Sequence, residues 1–152
     1  VSLEALCKRS DVLTLHVPLN SQTRNMIGQE QIAHLSGRNA VIVNTARGGV
    51  VDEAALLQAL NEERIGGAGI DVFEIEPTKQ DNPLHKMQKV ILSPHNASAS
   101  ARFDPARKRR VGQNVALVLS GRWPLSCVNP TVLTDSKLKR WQPYSMERGP
   151  NS

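Results

Sequence analysis

An arginine, a glutamate and a histidine each stand a few residues beyond a short apolar run: Arg47 in NTARGG (44–49), Glu76 in DVFEIEP (71–77) and His95 in SPHN (93–96). An anion binder, a carboxylate and an imidazole at neighbouring strand ends would hold a small oxo acid and protonate it. A guanidinium fork meets a carboxylate through two parallel hydrogen bonds. The glycines after Arg47 let backbone approach a ligand closely. If Glu76 meets His95, it orients the ring and stabilises imidazolium. Taken singly, each residue has a plain alternative: a surface arginine in a strand-to-helix loop, a solvated glutamate, a structural histidine. His16, His34 and His85 form no metal-binding spacing with one another or with Cys7 and Cys127. No GxSxG elbow occurs.

The elements that must carry these residues alternate in type. Residues 12–17 (VLTLHV), 40–44, 68–72 and 89–92 read as buried strands. Residues 29–35 read as a short helix. Asp52 reads as the N-cap of a second helix over 53–63, with Ala55, Leu56, Ala59 and Leu60 at helical spacing and Gly66 and Gly67 marking its end. A polar loop with Pro77 and Pro83 precedes the last of these strands. A final helix, with Val111, Val115 and Val118 on one stripe, runs up to Gly121, and 126–128 reads as one more strand. Such alternation implies an α/β fold with a parallel sheet and right-handed crossovers. Ligands of such sheets bind beyond the carboxyl ends of the strands, where Arg47, Asp71, Glu76 and His95 all fall.

The bulk numbers set outer bounds. The 152 residues suffice for one domain or part of a larger one, and 39% hydrophobic content fits a globular protein. The chain opens on Val1 rather than Met, so it is expected to be an internal piece of a longer protein. No apolar run approaches the ~18 residues of a membrane span, and no signal segment opens the chain. Two distant cysteines suit a reducing compartment, and a cytoplasmic location is expected. The net charge of +5 owes much to Arg107-Lys108-Arg109-Arg110 and the residues after Thr131. With 3% aromatic residues there is no interleaving to stack bases, so nucleic acid is disfavoured as a partner. Residues 131–152 are polar, carry Pro143 and Gly149-Pro150, and read as a loosely ordered tail.

Together the segments LHVPLNSQTRNMI (15–27), VIVNTARGGVVDEAALLQAL (41–60), GAGIDVFEIEP (67–77), VILSPHNAS (90–98) and CVNP (127–130) resemble the NAD-binding domain of the D-isomer-specific 2-hydroxyacid dehydrogenases. That family includes glyoxylate and hydroxypyruvate reductases and phosphoglycerate dehydrogenase. The resemblance implies a Rossmann-like, doubly wound parallel sheet, incomplete here, with residues 1–130 as the carboxyl part of an NAD(P)-binding domain. It implies that the intact protein transfers hydride between NAD or NADP and a small 2-oxo or 2-hydroxy acid. Arg47 would bind and polarise the oxo acid, His95 would donate the proton, and Glu76 would pair with His95. His16, Val17 and Pro18 would follow the adenosine half of the cofactor. Thr45, Ala46, Arg47, Asp71 and His95 would line the rest, with Asp71 near the nicotinamide amide and Asn96, Ala97 and Ser98 beside the ring. The intact protein would be a homodimer.

The chain departs from the family pattern in three places. The family's glycine-rich GxGxxG turn and ribose-binding acid are absent from the chain and are expected before Val1, so the chain alone is expected to be inactive. Asn96, Ala97 and Ser98 replace the usual aliphatic residue and glycines. Asp104-Pro105 interrupts the family's long helix, so a restart or kink is expected there, with Asp104 as cap. Two rivals remain: a corepressor of the same architecture that senses NAD without turnover, and an inactive truncated product.

Overall fold

The structure, a computed structural model, describes residues 1–133 and 137–139. It divides the chain into two compact units, the first spanning residues 1–97 and the second beginning at Ser98.

In the first unit, helix α1 (Leu3–Arg9) leads into strand β1 (Val12–Leu15), followed by α2 (Gln29–Leu35), β2 (Val41–Asn44), α3 (Glu53–Asn61), β3 (Gly67–Ile70) and β4 (Val90–Leu92). The four strands lie in the order β1-β2-β3-β4. Every pairing is parallel. The register aligns Leu13, Ile42, Ala68 and Val90 in one row and Leu15, Asn44, Ile70 and Leu92 in another. Side chains alternate across a pleated sheet, so both rows face the same way. They meet Cys7, Ile32, Leu35, Leu56, Ala59 and Leu60 from the three helices in one apolar core. Burying each Leu or Ile there is worth about 1.5–3 kcal/mol. Asp52 caps α3 as the sequence implies, its Oδ1 accepting from the Ala55 amide at 3.0 Å.

Four readings of the sequence need correction here. The outer strands are not buried throughout, since β1 carries Val12 at 61% exposure and β4 carries Ile91 at 80%. β1 stops at Leu15, short of His16 and Val17. Gly66 and Gly67 do not end α3. That helix ends at Asn61 and the chain turns at Glu63, where φ is +55°. Gly67 already belongs to β3, and the Gly66 amide bonds the Ala40 carbonyl. Helix α1 went unread. Its Ser2 cap, accepting from the Ala5 amide, and its Glu4–Lys8 pair were the available signals.

In the second unit, α4 spans Phe103–Leu119. Ser100, not Asp104, caps its start: Ser100 Oγ accepts from the Phe103 amide at 2.9 Å and its carbonyl from the Asp104 amide at 3.0 Å. Asp104 instead takes Arg107 at 2.6 Å and Lys108 at 2.9 Å. Pro105 thus sits in the first turn, where its missing N–H costs little. No residue of α4 is buried, and Val111, Val115 and Val118 are exposed. Residues 126–128 form no strand; the local pairing is a single bridge between Arg122 and Lys139. Of the polar tail, Thr131–Leu133 close a short 3-10 turn with Leu133 buried. Residues 134–136 and 140–152 lie outside the described residues. No helix among the described residues is long and apolar enough to cross a membrane.

Candidate active site

The Arg47 turn leaves the carboxyl end of β2. It is built on Asn44, the last strand residue, which is 1% exposed. Asn44 Oδ1 accepts from the Ala46 amide at 3.1 Å, and its Nδ2 donates to the Arg47 carbonyl at 3.0 Å. One amide side chain therefore closes both ends of a three-residue turn. It also leaves no buried polar atom of its own unpaired, which otherwise costs about 1–3 kcal/mol. The Arg47 guanidinium is exposed, with Nη1 resting on the Ala46 carbonyl at 2.6 Å. The turn then enters a 3-10 segment, Gly48–Val50, that leads to α3.

The His95 turn leaves the end of β4 and is held from the neighbouring strand. Asp71, just past β3 and 3% exposed, accepts from the Ser93 hydroxyl at 2.5 Å and the Asn96 amide at 2.9 Å on Oδ1, and from the Ala97 amide at 3.0 Å on Oδ2. The His95 amide donates to the Asp71 carbonyl at 2.8 Å. Burial by itself would raise the Asp71 carboxyl. The Ser93 hydroxyl, the two amides and the nearby His95 outweigh it, and the carboxyl is held below its ordinary range.

Glu76 joins the loop after β3 to this turn. Its Oε2 lies 2.7 Å from His95 Nδ1, and its Oε1 accepts from the Phe73 amide at 2.9 Å. The His95 bond, the Phe73 amide, and the charges of His95 and Arg47 hold the Glu76 carboxyl below its ordinary value. An ionised Glu76 accepts the Nδ1 proton in a hydrogen bond, so that the protonated ring would carry its second proton on Nε2, where it can pass to a bound oxygen. Arg47 reaches this pair through its field.

Two clefts flank the three residues. One, of about 770 Å³, is lined by His16, Val17, Pro18, Leu19, Thr45, Ala46 and Arg47. The second, of about 430 Å³, is lined by Phe73, Glu76, Pro77, Thr78, Pro94 and His95. The residues read for the adenosine half and those of the Arg47 turn thus share one wall. His16 is exposed and within hydrogen-bond reach of Thr14, at 2.9 Å. Asn96 and Ala97 enter through their amides, which are spent on Asp71. The Asp71 carboxylate faces the same turn. Ser98 belongs to the second unit. Asn44, Ser93 and Phe73 escaped the sequence reading. The signal for Asn44 was a polar residue closing the run VIVN; the others show only once the loops meet.

Residues 1–97 match the family model described as D-isomer specific 2-hydroxyacid dehydrogenase, NAD binding domain. The chain is 44% identical over 144 residues to the D-3-phosphoglycerate dehydrogenase of Methanocaldococcus jannaschii, covering 95% of this chain and 27% of that protein. It is 46% identical to the glyoxylate reductase of Korarchaeum cryptofilum, covering 88% of this chain and 40% of that one. The crystal structure of a D-isomer specific 2-hydroxyacid dehydrogenase from Xanthobacter autotrophicus Py2, in complex with NADPH and MES, superposes with a TM-score of 0.69 at 36% identity. That match covers 78% of this chain and 48% of the other. The chain therefore spans well under half the length of the curated relatives it matches.

Proposed function

The chain belongs to the D-isomer specific 2-hydroxyacid dehydrogenases, within their NAD binding domain, and from that premise we propose that the whole protein reduces a small 2-oxo acid with NADH or NADPH. We assign residues 1–130 to the carboxyl part of its dinucleotide domain. The observation that carries the reading is the 2.7 Å Glu76–His95 pair at the strand ends.

The residues present fit one end of a dinucleotide: the cleft along His16–Pro18 and Thr45–Arg47 opens at the carboxyl ends of β1 and β2. A dinucleotide held along these residues would supply the hydride from its nicotinamide. Arg47 holds the oxo acid's carboxylate with its fork and stabilises negative charge growing on the carbonyl oxygen. His95 delivers its Nε2 proton to that oxygen, and Glu76 keeps the ring oriented. Asp71 serves His95 by fixing the turn that presents it. A cytoplasmic homodimer completes the reading, on family membership alone.

NADH or NADPH oxidation by the whole protein with glyoxylate and hydroxypyruvate tests this. Turnover that collapses in His95→Gln supports it. Cofactor binding without turnover on any small 2-oxo acid would favour the NAD-sensing alternative.

A further inference from the structure

We propose that Gly48 is a positioning residue for Glu76, coupling the Arg47 turn to the carboxylate that orients His95. Both oxygens of Glu76 are committed, one to His95 Nδ1 and the other to the Phe73 amide. The carboxylate can therefore be no better placed than the Phe73 backbone. Gly48, directly after Arg47, packs its bare Cα against the Phe73–Glu74 peptide. A Cβ there would overlap the Phe73 carbonyl and the Glu74 nitrogen. The peptide is also tethered through its own N–H. On its other side the Glu74 amide donates to Glu53 Oε2 at 3.4 Å, while Glu53 Oε1 accepts from Asn82 Nδ2 at 2.8 Å. Glu53 opens α3, which Asp52 caps and the Gly48–Val50 turn feeds. The anion-binding turn and the carboxylate loop thus move as one body.

Gly49 provides an internal control. The nearest atoms a Cβ at Gly49 would meet are side-chain ends, Arg24 Nη1 at 3.3 Å and the Leu19 methyls at 3.3 and 3.4 Å. Neither glycine has a positive φ. An alanine at either position is therefore free of backbone strain, and the two differ in what the methyl strikes.

The meaning of this coupling for catalysis rests on the reading of Glu76 and His95 as the proton-delivering pair. Its test does not. Carboxyl ¹³C and imidazole ¹⁵N resonances of the 152-residue chain are followed through a pH titration in wild type, Gly48→Ala and Gly49→Ala. The expected result is that Gly48→Ala raises the Glu76 titration toward the ordinary glutamate value and shifts the His95 Nδ1 resonance, while Gly49→Ala leaves both in place. A folded Gly48→Ala with wild-type Glu76 titration, or equal shifts in both variants, overturns the proposal. If Gly48→Ala does not fold, Glu76→Ala is read in the opposite direction. Movement of the Gly48 amide resonance with Gly37 unchanged supports the coupling, and an unmoved Gly48 overturns it. A whole protein inactive on every 2-oxo acid would sink the catalytic reading and leave this result standing.

Discussion

The two turns that present the candidate catalytic groups are each clamped by one buried polar side chain, and the clamps differ in charge. The Arg47 turn offers one donor, the Ala46 amide, and one acceptor, the Arg47 carbonyl, so a neutral amide at Asn44 satisfies it. The His95 turn offers two backbone donors, the Asn96 and Ala97 amides, and the Ser93 hydroxyl, which donates here, so a carboxylate at Asp71 satisfies all three. The pattern of partners fixes which of two nearly isosteric residues belongs at each site. It also makes one turn sensitive to protons and the other indifferent.

The largest expected effect falls on the chemistry that the second turn carries. In the whole protein, His95→Gln should lower kcat by about 10²–10⁴-fold, the usual share of a positioned general acid. Steady-state kinetics with a 2-oxo acid decide it, and near-normal kcat would remove His95 from the mechanism.

Exchanging the clamps tests the comparison itself. Asp71→Asn points an NH2 at a backbone amide that can only donate, Asn96 or Ala97 according to the flip, and Asn44→Asp strips the Arg47 carbonyl of its donor. Each should destabilise the chain by about 1–3 kcal/mol at neutral pH, read as a lowered urea midpoint. If either exchange is neutral, the matching of side chain to turn described above is wrong.

Arg47→Lys keeps the charge and loses the fork. Removing one charge-assisted hydrogen bond of about 1.5–3 kcal/mol should raise the KM for the oxo acid roughly tenfold or more while leaving NADH affinity unchanged. A fall in NADH affinity with an unmoved KM would assign Arg47 to the cofactor.

The smallest effect is the proton dependence of the fold. The Asp71 and Glu76 carboxyls lie below their ordinary values in the folded chain. Below about pH 4 the unfolded chain then holds more protons than the folded one, so stability falls as pH drops through the lowered values. It is fully present above that range. Denaturation midpoints from pH 7 downward should show the decline, and Asp71→Asn should flatten it. A decline of equal depth in Asp71→Asn would show that the acid sensitivity resides elsewhere.

Much of this arrangement was readable in the chain. Apolar runs over 40–44, 68–72 and 89–92 announced parallel strands, and the three chemical groups beyond them announced a site. The pairing of Glu76 with His95 was inferred from the sequence and is present at 2.7 Å. What stayed hidden depends on residues far apart in sequence. Ser93 and Asp71 meet across 22 positions, and Gly48 meets Phe73 across two loops. No periodicity encodes either contact. The exposure of Val12 and Ile91 was hidden for a different reason. Val12 and Ile91 are as apolar as their buried neighbours, so composition alone cannot tell a covered face from an open one.

His95 sits at φ +51°, in the left-handed region. Side chains with a Cβ occupy that region at a cost of roughly 1–2 kcal/mol, and β-branched ones scarcely at all. On the role proposed for His95, the position is one where thermal robustness and turnover would pull in opposite directions. A screen that selects for heat resistance without selecting for activity should drift here toward glycine or asparagine, relieving the backbone and discarding the imidazole.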